Sequence, residues 1–180
     1  MAICKSLLLA SVAAMAVGSA FGATAARLPG SAVEQVPLAV LESEQARLRE
    51  IDVAMAPIKS AGDLSDYLHT AGPESPLMAL TPGSRERFVA SLQFNENGLV
   101  SYRYEELGRE LTASQAYRVL ALFGAQRTTY LLGARVESPA DAAASTTPRL
   151  PLMMTDYKNY RCLNPHNCFE TPLFICLTGC

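Results

Sequence analysis

The chain has 180 residues, with 15 Lys and Arg against 17 Asp and Glu for a net charge of −2. A balance that weak and that mixed excludes electrostatic steering onto DNA, RNA or an anionic membrane, so no nucleic-acid partner is expected. Aromatic residues make up only 7% and Trp is absent, so the core has to be built largely from Leu, Val, Ala and Met.

At the N-terminus, Lys5 is the only charge before Arg27. An apolar run over residues 6–17 follows it, then small residues and the Ala-x-Ala sequence Ala23-Thr24-Ala25. A positive start, a short apolar centre and small residues at positions −3 and −1 are what signal peptidase reads. The run falls short of the roughly 20 apolar residues that cross a bilayer. Cys4 precedes it, whereas a lipid anchor needs a cysteine after it. Residues 1–25 are therefore expected to be a signal peptide cut before Ala26, and the protein to be exported, either secreted or periplasmic. Cleavage removes Cys4 and Lys5 and leaves a chain of about 155 residues, the size of one domain. No later segment could span a bilayer, so no stable membrane insertion is expected after cleavage.

Residues 33–136 carry the periodic apolar patterns and are expected to form a helical domain. Leu38, Leu41, Leu48, Ile51 and Met55 recur at helical spacing, between Pro37 at a helix start and Pro57 at its end. The stripe lasts under three heptads, so it reads as a core-facing helix rather than a coiled-coil seam. A shorter helix is expected over 63–70, opening at Ser60 or Asp63 and burying Leu64, Tyr67 and Leu68. Residues 72–76 break the chain, and Thr81-Pro82 opens a third helix that buries Phe88, Val89 and Leu92. Phe88, Ala90, Leu92 and Phe94 also alternate, which is the pattern of a strand. Its partner would be 99–104 across the turn Asn95-Glu96-Asn97-Gly98. The helix is the preferred reading of 88–94.

Thr112-Ala113-Ser114-Gln115 is a capping box, and Ala116, Val119, Leu120 and Phe123 mark one face of the helix it opens. The expected fold is mainly α: a small helical bundle, with at most one short β-hairpin. Residues 137–151 have the Pro-rich, small-residue composition of a linker.

Residues 152–180 form a tail that holds Cys162, Cys168, Cys176 and Cys180. Four cysteines in an exported chain read as structural disulfides, with three connectivities that spacing alone does not separate. The tail is too short to bury a core of its own, so crosslinks or docking on the helices must order it. The apolar stretch 151–154 is expected to dock, and 172–175 either docks or presents a partner patch. A zinc site using three thiolates and His166 is the rival reading. It lacks Cys-x2-4-Cys knuckles and competes with oxidation, so no metal and no cofactor is expected.

Enzyme signatures fail in turn: no Gly-x-Ser-x-Gly, no Gly-rich phosphate loop and no His-Glu-x-x-His occurs. His69 falls at a helix end, where a cation suits the dipole. Glu105, Glu106 and Glu110 lie beside Arg103 and Arg109 and read as an ion-pair face rather than an acid/base pair. No catalytic residue is assigned. The expected function is an exported, non-enzymatic module that binds another protein or an envelope component. The alternatives are a carrier whose tail is released by cleavage at the linker, or a small exported hydrolase or metal-binding protein.

Overall fold

The computed structural model describes residues 37–146, 156–164 and 167–180. The expected signal peptide, the apolar stretch 151–154 and His166 lie outside the described residues.

The helices start where the local chemistry supplies caps. α1 spans Leu38–Met55 behind Pro37. α2, Ala61–Thr70, opens on Ser60, whose hydroxyl accepts from the Asp63 amide. A 3₁₀ turn, Pro76–Ala79, leads to α3, Pro82–Ser91, with proline in its first turn. At the end of α3 the Ser91 hydroxyl donates to the Phe88 carbonyl at 2.6 Å and accepts from the Arg103 amide at 3.0 Å. The stretch 88–94 is thus divided. Its first part finishes a helix, and Gln93–Asn95 forms strand β1 against β2, Gly98–Arg103. Gly98, at φ +110°, makes the turn between them.

α4, Glu105–Glu110, leads to α5, Ala113–Ala121, whose capping box is complete in both directions. The Thr112 amide donates to the Gln115 side chain at 2.9 Å, and Thr112 Oγ1 accepts from the Gln115 amide at 3.4 Å. Ala116, Val119 and Leu120 are fully buried, as the periodicity predicts. After a second 3₁₀ stretch, Gln126–Leu131, the Pro- and Ala-rich segment carries α6, Pro139–Ala144. Asp141 anchors it: its carboxylate accepts from the Ser114 amide at 2.8 Å, the Ser138 hydroxyl at 2.7 Å and the Glu137 amide at 3.1 Å. Hydrogen bonds from Ser114 and Ser138 hold that carboxyl far below the ordinary carboxylate range.

The tail overturns the mainly-α expectation. It forms two long strands, β3 (Tyr157–Asn164) and β4 (Asn167–Cys176), in a four-stranded antiparallel sheet of order β1-β2-β4-β3. Of the described residues 52% are helical and 21% lie in strands, so the fold is an α/β mix. Strand periodicity is hidden here because the strands are irregular. Register shifts fall between Lys158 and Tyr160 and between Cys162 and Asn164. Asn159 and Leu173 have positive φ, at 67° and 69°. Each such break resets which face successive side chains meet, and so erases the two-residue alternation.

Phe88 sits at the centre of the core, edge-on to Tyr102 and Phe123 at centroid distances of 6.2 and 6.1 Å. The Tyr102 hydroxyl is satisfied by Thr128 Oγ1 at 2.5 Å, and burial raises its pKa well above the usual phenol value. Ile175 and Leu177 of the tail belong to the same apolar cluster. Helices and tail accordingly share one compact unit, Val36–Cys180. α1 departs from expectation in the opposite sense. None of its residues is buried, and Leu38, Val40, Leu41, Ile51 and Met55 all face solvent. On α2, Leu64 is buried, Tyr67 is half-buried and Leu68 is exposed.

Two outcomes follow from this packing. Leu120→Asp or Val119→Asp should abolish cooperative unfolding, since an unpaired buried carboxylate costs several kcal/mol, while Arg118→Asp should shift stability by no more than about 0.5 kcal/mol. Equal tolerance in thermal denaturation would misplace the core face. Asp141→Asn should lower the melting temperature at neutral pH. Because the folded-state carboxyl is depressed, its stabilisation is complete above the ordinary value of about 4 and is lost as pH falls through the folded value. The gap between wild type and variant should therefore close only in strong acid, and a gap that widens on acidification would contradict the assignment.

Candidate functional site

The four cysteines come together as predicted, and the structure selects one connectivity: Cys162–Cys180 and Cys168–Cys176. Cys162, Cys176 and Cys180 are buried beside Val100, and Cys168 is half-buried at the edge of this second cluster. The sulfurs of Cys162, Cys176 and Cys180 lie within 4.8 Å of one another. In this state they are bonded to sulfur, so their closeness is that of two adjacent disulfides.

A large concavity lies under the C-terminal half of α1. Gly124 explains how the helix comes so near. It follows α5 at φ +72°, and a Cβ there would stand 2.8 Å from Val53 Cα and 3.0 Å from the Asp52 carbonyl oxygen. Only a residue without a side chain permits that approach. Two ion pairs flank the contact. Asp52 meets Arg127, and Arg49 meets Asp156 at 3.2 Å across 107 positions of chain. Asp156 is itself buried and also accepts from the Thr178 amide and hydroxyl, both at 2.9 Å. α1, the start of β3 and the C-terminal turn are therefore linked through one carboxylate.

The groove beside this link has a volume of about 610 Å³. Val53, Leu99, Phe123 and Leu177 line it with apolar surface, and Lys59 and Glu96 stand on its charged border. An apolar floor with polar groups at its edge suits a side chain or a small apolar body.

A second, smaller concavity of about 290 Å³ is lined by polar and charged residues. Buried Glu106 accepts from Arg87 Nε at 3.0 Å, and Arg87 also donates to Ser84 Oγ at 2.8 Å. The Ser84 hydroxyl donates to Glu110, which further accepts from the Thr81 amide at 2.9 Å. Arg103 pairs with Glu105, and Arg109 lies 3.3 Å from the same carboxylate. The hydrogen bond from Ser84 lowers the Glu110 pKa, and the one from Arg103 lowers that of Glu105. Both carboxyls are held as anions, so neither supplies the raised-pKa partner that an acid/base pair requires. His69 lies on α2 with Nδ1 at 2.7 Å from the Ser65 carbonyl of its own helix.

Sequence reasoning singled out the cysteines and the carboxylate–arginine face, and it missed the groove. The groove is assembled from α1, the β1–β2 turn, the stretch after α5 and both ends of the tail, none of which carries a motif. A glycine directly after a well-capped helix was the one local signal.

Gly124→Ala should lift the base of α1 while leaving α5 intact. Hydrogen exchange at amides 49–55 should accelerate by at least tenfold, with exchange at 116–120 unchanged. Unaltered exchange in α1 would mean that its docking does not depend on the close approach.

Comparison of the chain with protein-family models, curated proteins and solved structures found no match, so the groove has to be read from its own chemistry.

Proposed function

We propose that this protein is exported and acts outside the cytoplasm as a non-enzymatic binding module. In this reading it takes an amphipathic helix of a partner protein along α1 and into the groove at its base. The outward apolar stripe of α1 carries the reading. An 18-residue helix with no buried residue leaves in water much of the apolar face that packing normally covers. Leu41, Leu48, Ile51 and Met55 are spaced as one helix face reads another. Met55 is 79% exposed, and a methionine at such a position adapts to varied apolar surfaces. Exposed apolar patches of this kind mark interaction sites.

Export is supported by the N-terminal pattern around Lys5 and Ala23-Thr24-Ala25 and by two disulfides, which persist in oxidising compartments. Among the described residues no helix is long and apolar enough to cross a membrane. The carrier alternative has less support, because release of the tail would strip β4 from β2 and remove Ile175 from the core.

The test uses the exported chain, whose N-terminal sequence should begin near Ala26. A photo-crosslinking residue at Ile51 or Met55 should yield a discrete adduct with another protein, while one at exposed Glu74 yields none. Ile51→Asp and Met55→Asp should abolish the adduct from the neighbouring position and shift stability by about 0.5 kcal/mol or less. A loss of several kcal/mol would mean that the stripe is covered by its own chain, and the proposal would fail. Adducts equal to those from Glu74 would also sink it.

A further inference from the structure

Each of the four tail cysteines has a bonded partner and, next to it, an unbonded one. Cys176 is joined to Cys168, yet its sulfur also lies within 4.8 Å of both sulfurs of the Cys162–Cys180 bridge. Cys162 is joined to Cys180, yet it stands directly opposite Cys168 in the β3–β4 register. The alternative pairing Cys162–Cys168 with Cys176–Cys180 is thus within reach of the same sulfurs. Access is uneven: Cys162, Cys176 and Cys180 are buried and Cys168 is only half-buried.

We propose that Cys168 is a thiol-reactive site, at which a small thiol exchanges the two disulfides for the pairing Cys162–Cys168 and Cys176–Cys180. The thiolate attacks Cys168 Sγ, forms a mixed disulfide there, and Cys176 leaves as a thiolate. The freed Cys176 sulfur already stands within 4.8 Å of both sulfurs of the neighbouring bridge. Cys176 attacks Cys180 Sγ, closing Cys176–Cys180 and releasing Cys162 as a thiolate. Cys162 then attacks Cys168 across the strand pair, closes Cys162–Cys168 and expels the small thiol. Two disulfides are broken and two are made, with no net oxidation, and the small thiol is regenerated.

The exchange has a structural consequence. Cys162–Cys180 is the crosslink that ties the C-terminal turn to β3. Leu177, Thr178 and Gly179 of that turn line the groove, and Thr178 holds Asp156 against Arg49 of α1. In the alternative pairing the covalent link from the turn runs only to β4, its own strand, and that wall of the groove is held to β3 by the Thr178–Asp156 hydrogen bonds alone. The exchange chemistry itself does not depend on the groove being a binding site.

The test is disulfide mapping of the oxidised chain after anaerobic incubation with substoichiometric reduced glutathione and quenching by N-ethylmaleimide. Chymotryptic sites at Leu163, Phe169, Phe174 and Leu177 separate all four cysteines. Linked peptides for Cys162–Cys168 and Cys176–Cys180 should appear at a rate that doubles when glutathione is doubled, with total thiol unchanged. Recovery of only the original pairs, or of those pairs and their alkylated forms, would overturn the proposal. A variant, Cys168→Ser, frees Cys176 without added thiol. Its map should contain Cys176–Cys180 or Cys162–Cys176 beside Cys162–Cys180. Full alkylation of Cys176 with Cys162–Cys180 as the sole link would overturn it too. Should Cys168→Ser fail to fold, the glutathione experiment on the unaltered chain decides alone.

Discussion

Pairing between β2 and β4 is the contact on which the rest of the molecule depends. Ser101 lies opposite Cys176 and Tyr102 opposite Ile175, and the Ser101 hydroxyl donates to the Ile175 carbonyl at 2.9 Å. Just beyond, the Leu177 amide bonds to the Val100 carbonyl at 2.9 Å. Through this seam, Ile175 and Leu177 enter the core that the helices build around Phe88. The cysteine cluster forms beside the same seam, against Val100. β2 is thus the shared wall of two small cores, one closed by apolar packing and the other by two disulfides. A tail of this length could not have buried enough apolar surface to order itself.

The groove under α1 inherits its shape from that seam. Its far wall is the C-terminal turn that follows β4, and its near wall is a helix admitted by the absence of a side chain at Gly124. Asp156 joins the two walls by accepting from Thr178 while facing Arg49. A single buried carboxylate with partners on both sides can hold such an arrangement because each partner offsets part of its desolvation. The concavity is therefore a product of tertiary assembly and not of any one element.

What the sequence made legible follows the same division. The capping box at Thr112 and the face of Ala116, Val119 and Leu120 are local signals, and both are present in the structure. So is the turn at Gly98, although the helix before it ends sooner than the preferred reading had it. The tail strands were not legible, since Asn159 and Leu173 break the alternation that would have announced them. The α1 stripe was legible as a helix face, but periodicity gives only the spacing of apolar residues and not which side of the helix meets the core. Of the candidate site, the cysteines could be named and their pairing could not. Connectivity depends on how β3 and β4 lie against one another, which spacing along the chain does not contain.

The irregularity that hid the tail strands also governs how the sheet meets other molecules. β1 and β3 are its two borders, and an open border of unpaired amides and carbonyls invites another chain to add a strand. β1 offers only three residues. β3 is longer, but at Asn159 the backbone turns to positive φ, and the Asn159 side chain is engaged inward by the Tyr104 hydroxyl at 2.8 Å and the Leu173 amide at 3.3 Å. A straight run of backbone is thus interrupted on the longer border and too brief on the shorter one. Among the described residues, the sheet thus offers crowded copies of this protein no long uninterrupted border on which to build a fibril.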